Sequence, residues 1–172
     1  MSRVRLLALL LALAAAGYAA AAGGGGGPGG GGAGSGSTGR VTRVVDGDTI
    51  HVELAGVEET LRYIGVDTPE SVKPGTPVQC FAKRAGAYNE RLIEGRTVRL
   101  VLDAEHRDRY GRLLAYVYRA GDGLFVNAAL VRGGYAVPLT IPPNVAHAAE
   151  LRRIAATARR DGRGLWSSCE SS

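Results

Sequence analysis

The stretch "VVDGDTIHV", residues 44–52, carries the strongest folding signal in this chain of 172 residues. An Asp-Gly pair flanked by alternating apolar residues predicts a β-hairpin, because both residues adopt the backbone angles of tight turns. Apolar and polar residues alternate from Thr49 to Leu54, as expected for a strand buried on one face. Asp46 and Gly47 account for the turn, whereas Asp48 stands where strands disfavour Asp. Asp48 is therefore a candidate functional residue.

The first 39 residues differ in composition from the rest of the chain. A charged start, an apolar run from Leu6 to Ala16 and small residues at Ala19–Ala22 predict a secretory signal peptide over residues 1–22. A retained membrane anchor is the alternative, since the 17 residues from Leu6 to Ala22 are at the short limit for a spanning helix. Cleavage is the preferred interpretation, which predicts a protein secreted to the extracellular space or periplasm.

A glycine-rich segment follows the predicted signal peptide. Residues 23–39 contain 12 glycines among 17 positions and have few side chains to bury, which predicts a flexible linker. The remaining residues, 40–172, are enough for one domain with its own core.

The charge balance permits a polyanionic partner without requiring one. The chain has 21 Lys and Arg against 16 Asp and Glu, a net charge of +5, and residues 40–172 carry +3 because two arginines precede them. Charge of this size affects solubility and non-specific attraction, so individual arginines must identify the partner. Four of them lie on one predicted helix, where a solvated face is the expected interpretation and a basic patch is the alternative. They are Arg152, Arg153, Arg159 and Arg160.

Five short strands and three helices are predicted in the domain. Alternation and turn residues predict strands at Val41–Val45, Thr49–Leu54, Thr60–Val66, Thr97–Leu102 and Leu113–Tyr118. Helical spacing and end signals predict helices at about Val78–Glu94, Val126–Arg132 and Asn144–Asp161, the last with Asn144 as N-cap. Five short strands separated by turns are typical of a small barrel or sandwich.

Carboxylates and arginines recur at the ends of these strands. Asp48, Asp67 and a loop carbonyl offer the hard oxygen ligands that Ca²⁺ requires. The planar guanidinium groups of Arg62 and Arg112 match the paired oxygens of a phosphate. Glu70 is a candidate to accept a proton from water. Each motif alone is also compatible with an ordinary turn, since turns use the same residue types.

Several other sites are disfavoured by spacing. The aspartate pair is not part of an EF-hand, because the glycine which that loop requires is replaced by His51. The three histidines lack paired zinc spacing, and neither a Ser–His–Asp nor a Cys–His arrangement is recognisable.

Five segments together resemble the thermonuclease family, the staphylococcal nuclease-like secreted nucleases. They are "VVDGDTI", "RYIGVDTPE", "DRYGRLLAYVY", "FVNAALVRGGYA" and "GLW", in the order and approximate spacing of that family. The resemblance extends from about Arg40 to Trp166. It implies an α+β fold, a five-stranded Greek-key OB-fold β-barrel with three helices. It also implies a Ca²⁺-dependent enzyme that hydrolyses DNA and RNA and leaves 3′-phosphate ends.

The resemblance implies a calcium site and a base. Asp48 and Asp67 match carboxylates that bind calcium, and the carbonyl of Thr68 matches a further ligand. Glu70 matches the residue that acts as general base or orients the water. Asp46 matches a carboxylate of the turn or outer shell.

The resemblance also implies a phosphate site. Arg62 and Arg112 match two arginines that hold the scissile phosphate, and Tyr110 matches a tyrosine near the distal phosphate of the nucleotide. Strict strand alternation would send Arg62 and Asp67 to opposite faces. A bulge or bend at Gly65 would restore their convergence, so we expect one there.

The chain departs from the family pattern between Gly134 and Glu150. The resemblance implies two tyrosines around the base and sugar, whereas the corresponding positions here are Leu139, Thr140 and Ile141. Aromatic stacking on a base contributes about 1–3 kcal/mol, so its loss predicts weak nucleotide binding and loose base preference.

The chain has two cysteines, Cys80 and Cys169. Export makes a disulfide between Cys80 and Cys169 reasonable, with two unpaired thiols as the alternative. DNA and RNA are the expected substrates of a monomer with no obligate protein partner, and a membrane contact is expected only if the N-terminal segment is uncleaved. The alternative function is a non-catalytic OB-fold module that binds single-stranded nucleic acid.

Overall fold

A closed five-stranded barrel forms the body of the protein in a computed structural model that describes residues 36–71, 75 and 77–169. Its strands are β1 (Ser37–Val44), β2 (Thr49–Leu54), β3 (Val57–Tyr63), β5 (Thr97–Val101) and β6 (Leu113–Arg119). They close in the order β1-β2-β3-β6-β5, and only β3 and β6 pair in parallel. A second, two-stranded sheet joins β4 (Val66–Asp67) to β7 (Val137–Pro138).

Helices pack around this barrel. They are α1 (Ala82–Ile93), α2 (Val126–Arg132), α3 (Ala148–Arg160) and the short α4 (Leu165–Ser168). The predicted five-stranded barrel with three helices is therefore confirmed, and the single turn of α4 is an addition. The core consists of the inward residues of the strands and the apolar faces of the helices, as their alternation and helical spacing predict.

Two helices begin later than their sequence predicts. Phe81 has a φ of 69°, outside the helical region, so α1 begins at Ala82 and not near Val78. Asn144 does not cap α3. Its side chain instead bonds the backbone of Glu105, accepting from the amide at 2.7 Å and donating to the carbonyl at 2.8 Å. A residue whose side chain is committed to another loop cannot cap a helix, and α3 begins at Ala148.

The domain boundary also differs from the predicted one. Ser37 to Gly39, assigned to the linker, belong to β1 and pair with β5. The predicted signal peptide, residues 1–22, and most of the linker lie outside the described residues. Within the described part, no helix has the length and apolar character needed to cross a membrane.

Two fully buried asparagines hold the loops that carry the candidate residues. Asn89 of α1 accepts a hydrogen bond from the Tyr63 hydroxyl at 3.0 Å and donates to the Asp46 carbonyl at 3.1 Å. Asn127 of α2 accepts from the Val117 amide at 2.9 Å and donates to the Ile64 carbonyl at 2.8 Å. Buried backbone groups need such partners, so these amides fix both turns against the barrel.

A disulfide links Cys80, just before α1, to Cys169 at the end of α4, with Cα atoms 5.9 Å apart. The predicted pairing is confirmed.

Candidate active site

The Asp-Gly-Asp turn between β1 and β2 places Asp48 inside the protein. The Asp48 amide donates to the Asp46 side chain at 3.0 Å, a local bond typical of Asp in turns. A side chain at Gly47 would come within 2.7 Å of Thr68, so only glycine allows the turn to approach that residue. Asp48 itself is 4% exposed.

The Asp48 carboxylate is surrounded by donors. Its Oδ2 accepts hydrogen bonds from the Thr68 amide at 2.7 Å and the Thr68 hydroxyl at 2.8 Å. Its Oδ1 lies 3.2 Å from Nε of Arg62. Burial nevertheless raises the pKa of Asp48 to about 7, because desolvation and the nearby Asp46 outweigh Arg62 and the Thr68 bonds. The carboxylate thus lies where additional positive charge would stabilise its ionised form.

Arg62 bridges two carboxylates. Its Nη2 donates to Asp67 at 2.8 Å while its Nε faces Asp48. Its Nη1 donates to the carbonyl oxygens of Tyr63 and Val66, which hold the guanidinium against the bend after β3. Gly65 forms that bend with a φ of 80°, a conformation that glycine adopts readily. The expected convergence of Arg62 and Asp67 through Gly65 is confirmed.

Arg112 is oriented by its own loop. Asp108 accepts from Arg112 Nε at 2.7 Å and from the backbone amides of Arg112 and Tyr110. Partial burial alone would raise the pKa of Asp108, but these bonds lower it below its usual value. Tyr110 is 68% exposed, with the guanidinium groups of Arg109 and Arg112 over its ring at 4.8 and 5.4 Å.

Glu70 is held through its backbone. Its amide donates to Oε1 of Gln79 at 2.8 Å, and the Gln79 amide donates to the Glu70 carbonyl at 2.9 Å. This reciprocal pair of hydrogen bonds joins Glu70 to Gln79. Sequence reasoning missed Gln79, because a single contact between residues nine positions apart leaves no periodic signal.

The structure brings the predicted catalytic and metal-binding residues together in one small cleft, which we call the site cleft, of about 70 Å³. The residues that line it are Asp46, Asp48, Thr49, Arg62, Asp67, Thr68, Pro69, Glu70 and Arg112. Tyr110 is not among these lining residues. It lies beside the cleft through its contact with Arg112.

A second, more apolar cavity of about 280 Å³ shares Arg62 and Arg112 with the site cleft. Leu114, Leu139 and Ile141 contribute aliphatic walls to this side cavity. An apolar pocket with two arginines at one end has the character of a ligand site.

The donor set of the site cleft fits a hard divalent cation. The described residues contain no group of three or more His, Cys, Asp or Glu side chains that could hold a metal ion. They do provide two carboxylates, Asp48 and Asp67, beside the backbone of Thr68. Oxygen donors completed by water suit the hard cations Ca²⁺ and Mg²⁺, whereas zinc sites usually include nitrogen or sulfur ligands.

Comparison with known proteins agrees with the fold. Residues 60–168 match the family described as staphylococcal nuclease homologue. The chain is 42% identical over 130 residues to a thermonuclease of Staphylococcus hyicus, covering 76% of each chain. It is 41% identical over 126 residues to a thermonuclease of Staphylococcus intermedius, covering 73% of this chain and 74% of that protein. Endonuclease YncB of Bacillus subtilis (strain 168) is 39% identical over 127 residues, 73% of this chain and 59% of that protein. The chain therefore belongs to the staphylococcal nuclease homologue family.

Proposed function

We propose that this protein is a calcium-dependent nuclease that hydrolyses the phosphodiester bonds of DNA and RNA. The observation that carries the proposal is the meeting of two carboxylates, two arginines and Glu70 in the site cleft. The relatives named thermonuclease and endonuclease support the same reaction class.

Asp48, Asp67 and the Thr68 carbonyl are the residues that would hold Ca²⁺. When bound, the ion supplies positive charge to the phosphoryl oxygens and lowers the pKa of a bound water. The raised pKa of the buried Asp48 supports a cation here, since a buried carboxylate is stabilised by added positive charge. Ca²⁺ is preferred over Mg²⁺, because two carboxylates and a carbonyl suit a flexible shell better than a strict octahedron.

Arg62 and Arg112 would hold the scissile phosphate. Both line the site cleft and the side cavity, so a nucleotide in the side cavity would present its phosphate between them. Negative charge grows on the phosphoryl oxygens as water adds, and positioned guanidinium groups stabilise that charge. Asp108 orients Arg112 for this role.

Glu70 would accept the proton of the attacking water. The water oxygen bonds to phosphorus while the bond from phosphorus to the 5′ oxygen breaks. The departing 5′ oxygen takes a proton from solvent, which leaves a 3′-phosphate and a 5′-hydroxyl. The site cleft is lined by Glu70 together with both arginines, as this geometry requires.

The side cavity would receive the base and sugar. Leu139 and Ile141 are exposed aliphatic side chains, which offer apolar contact without the face of an aromatic ring. Weak binding of free nucleotides and loose base preference follow. Tyr110 would contact a more distal phosphate.

We also propose that the protein is secreted and monomeric. The Cys80–Cys169 disulfide supports an oxidising location, because disulfides persist outside the cytosol.

The test is cleavage of DNA and RNA by the purified protein with Ca²⁺, with Mg²⁺ and with a chelator. Glu70→Gln and Arg112→Ala are each expected to lower the rate by about 10²-fold or more, because both act on the transition state. Lys83→Gln, an exposed change on α1, is the matched control and should retain activity. Binding of nucleic acid without any cleavage would support the alternative, a non-catalytic OB-fold module. Full activity in Mg²⁺ with Ca²⁺ removed would contradict the assigned metal.

A further inference from the structure

The positive charge of the domain is concentrated near its C-terminal end. Residues 40–131 contain thirteen basic and thirteen acidic side chains, which cancel. Residues 132–169 contain six arginines and only two acidic residues, Glu150 and Asp161. The excess charge therefore belongs to α3 and the residues that flank it.

Both of those acidic residues are already paired. Glu150 lies 2.8 Å from the ring of His147, and Asp161 pairs with Arg163 at 2.9 Å and with Arg160 at 3.8 Å. Among the described residues, no carboxylate forms an ion pair with Arg152 or Arg159. These guanidinium groups are exposed on the helix surface and are not neutralised there.

Three arginines of α3 border one concave surface, which we call the α3 groove. Arg159 and Arg160 follow Arg152 by seven and eight positions, about two helical turns, so all three project from the same face of the helix. The groove is completed by Pro138, Ala155, Ala156 and Trp166. Arg159 lies over the Trp166 ring at 5.3 Å, a contact that orients the guanidinium plane.

The α3 groove adjoins the side cavity through a common wall. Pro138 lines the groove and its neighbour Leu139 lines the side cavity. Arg152 donates to the Thr140 hydroxyl at 3.3 Å, which places the first arginine of the groove directly on this wall. A chain that leaves the side cavity across residues 138–141 therefore meets Arg152 first.

We propose that the α3 groove binds the phosphodiester backbone of a polynucleotide whose scissile bond lies in the site cleft. The inference rests on the proposed function. Arginine forks pair with phosphate oxygens, and α3, at 13 residues, is about 20 Å long, which is enough to follow several nucleotides. The groove gives the protein greater affinity for long strands than for short ones, without reading their sequence.

The test compares long and short oligonucleotides in the full chain. Arg152→Gln, Arg159→Gln and Arg160→Gln are combined in one variant. Arg40→Gln, Arg91→Gln and Arg96→Gln form a control with the same change in charge, at exposed positions that line neither cavity nor the groove. Affinity for a labelled single strand of about 20 nucleotides is measured by anisotropy with chelator, from roughly 50 to 300 mM KCl. Cleavage of an oligonucleotide of about four nucleotides is measured with Ca²⁺.

The α3 variant should bind the long strand about tenfold or more weakly, with the slope of log Kd against log salt reduced by about two. Its kcat/KM on the short oligonucleotide should stay within about twofold of wild type, because the short strand does not reach the groove. An equal loss in the control variant, or an unchanged salt slope, would overturn the proposal. So would weakened binding to anionic lipid vesicles with unchanged affinity for the long strand. If the wild type cleaves neither the long nor the short strand, the proposed function fails, and the binding measurement still decides the role of the groove.

Discussion

Replacing Asn89 by alanine should destabilise the protein through two partners that lose their hydrogen bonds. Tyr63 is only 2% exposed, and its hydroxyl loses the oxygen to which it donates. The Asp46 carbonyl loses its donor. Burial also raises the pKa of Tyr63, so the hydroxyl keeps its proton and still needs an acceptor. A buried polar group left without a partner costs about 1–3 kcal/mol, and the less buried Asp46 carbonyl belongs at the low end. The expected loss in free energy of unfolding is therefore about 2–4 kcal/mol, or roughly 10 °C in Tm.

Urea unfolding at neutral pH measures this loss, and a double-mutant cycle tests its cause. Tyr63→Phe removes the hydroxyl, so it leaves one fewer unpaired group in the Asn89→Ala background. The double variant should be more stable than the sum of the single effects by about 1 kcal/mol. The m-value should not change, because the barrel keeps its buried surface. A loss below about 0.5 kcal/mol for Asn89→Ala, or simple additivity, would refute the assignment of these bonds.

Gln79→Ala should lower kcat about tenfold with KM little changed, because it releases the Glu70 backbone. Gln79→Glu keeps the accepting oxygen and should retain most activity. Steady-state kinetics distinguishes the two variants. Burial alone would raise the pKa of Asp103, but hydrogen bonds from the Ala146 and Ala104 amides and the Tyr116 hydroxyl lower it. The contribution of Asp103 to the free energy of unfolding is therefore present at neutral pH and is lost as pH falls through the lowered pKa. Asp103→Asn should therefore be less stable than wild type at pH 7, and its free energy of unfolding should fall less as the pH is lowered. Urea unfolding at several pH values measures both, and an equal fall in the two proteins would contradict the prediction. Thr140→Tyr or Leu139→Tyr should tighten binding of free nucleotide in calorimetric titrations, and unchanged affinity in both would assign the base contact to another surface. Reducing the Cys80–Cys169 disulfide should cost up to about 4 kcal/mol of unfolding free energy, as measured by denaturation with and without reductant, and identical curves would contradict that figure.

The barrel and the convergence of its charged residues were predictable because both follow from local patterns. Alternation and an Asp-Gly turn define β1 and β2, and the glycine at position 65 marks the bend that brings Arg62 to Asp67. The resemblance to thermonucleases then assigned roles that each motif alone left open.

The supports of the site were not predictable for a physical reason. Asn89 and Gln79 act on residues 43 and nine positions away, through side-chain amides that leave no trace in hydrophobic periodicity. The pairing of β4 with β7 involves two residues on each strand, too few for a pattern. The late start of α3 depends on a bond from Asn144 to Glu105, another loop, which competes with the cap that its position in sequence favours.

The Cys80–Cys169 bond holds the chain together after a protease cuts it between the two cysteines. It encloses the segment from Arg99 to Arg119, with all five of its arginines, along with α2 and α3, because the enclosed chain runs over 89 positions. A trypsin-like protease that cuts at the exposed Arg107 or Arg109 leaves both pieces joined covalently. The pieces also remain paired through β5 and β6. Such a molecule migrates as one band without reductant and as two with it, and it keeps all residues of the site cleft in a single covalent unit.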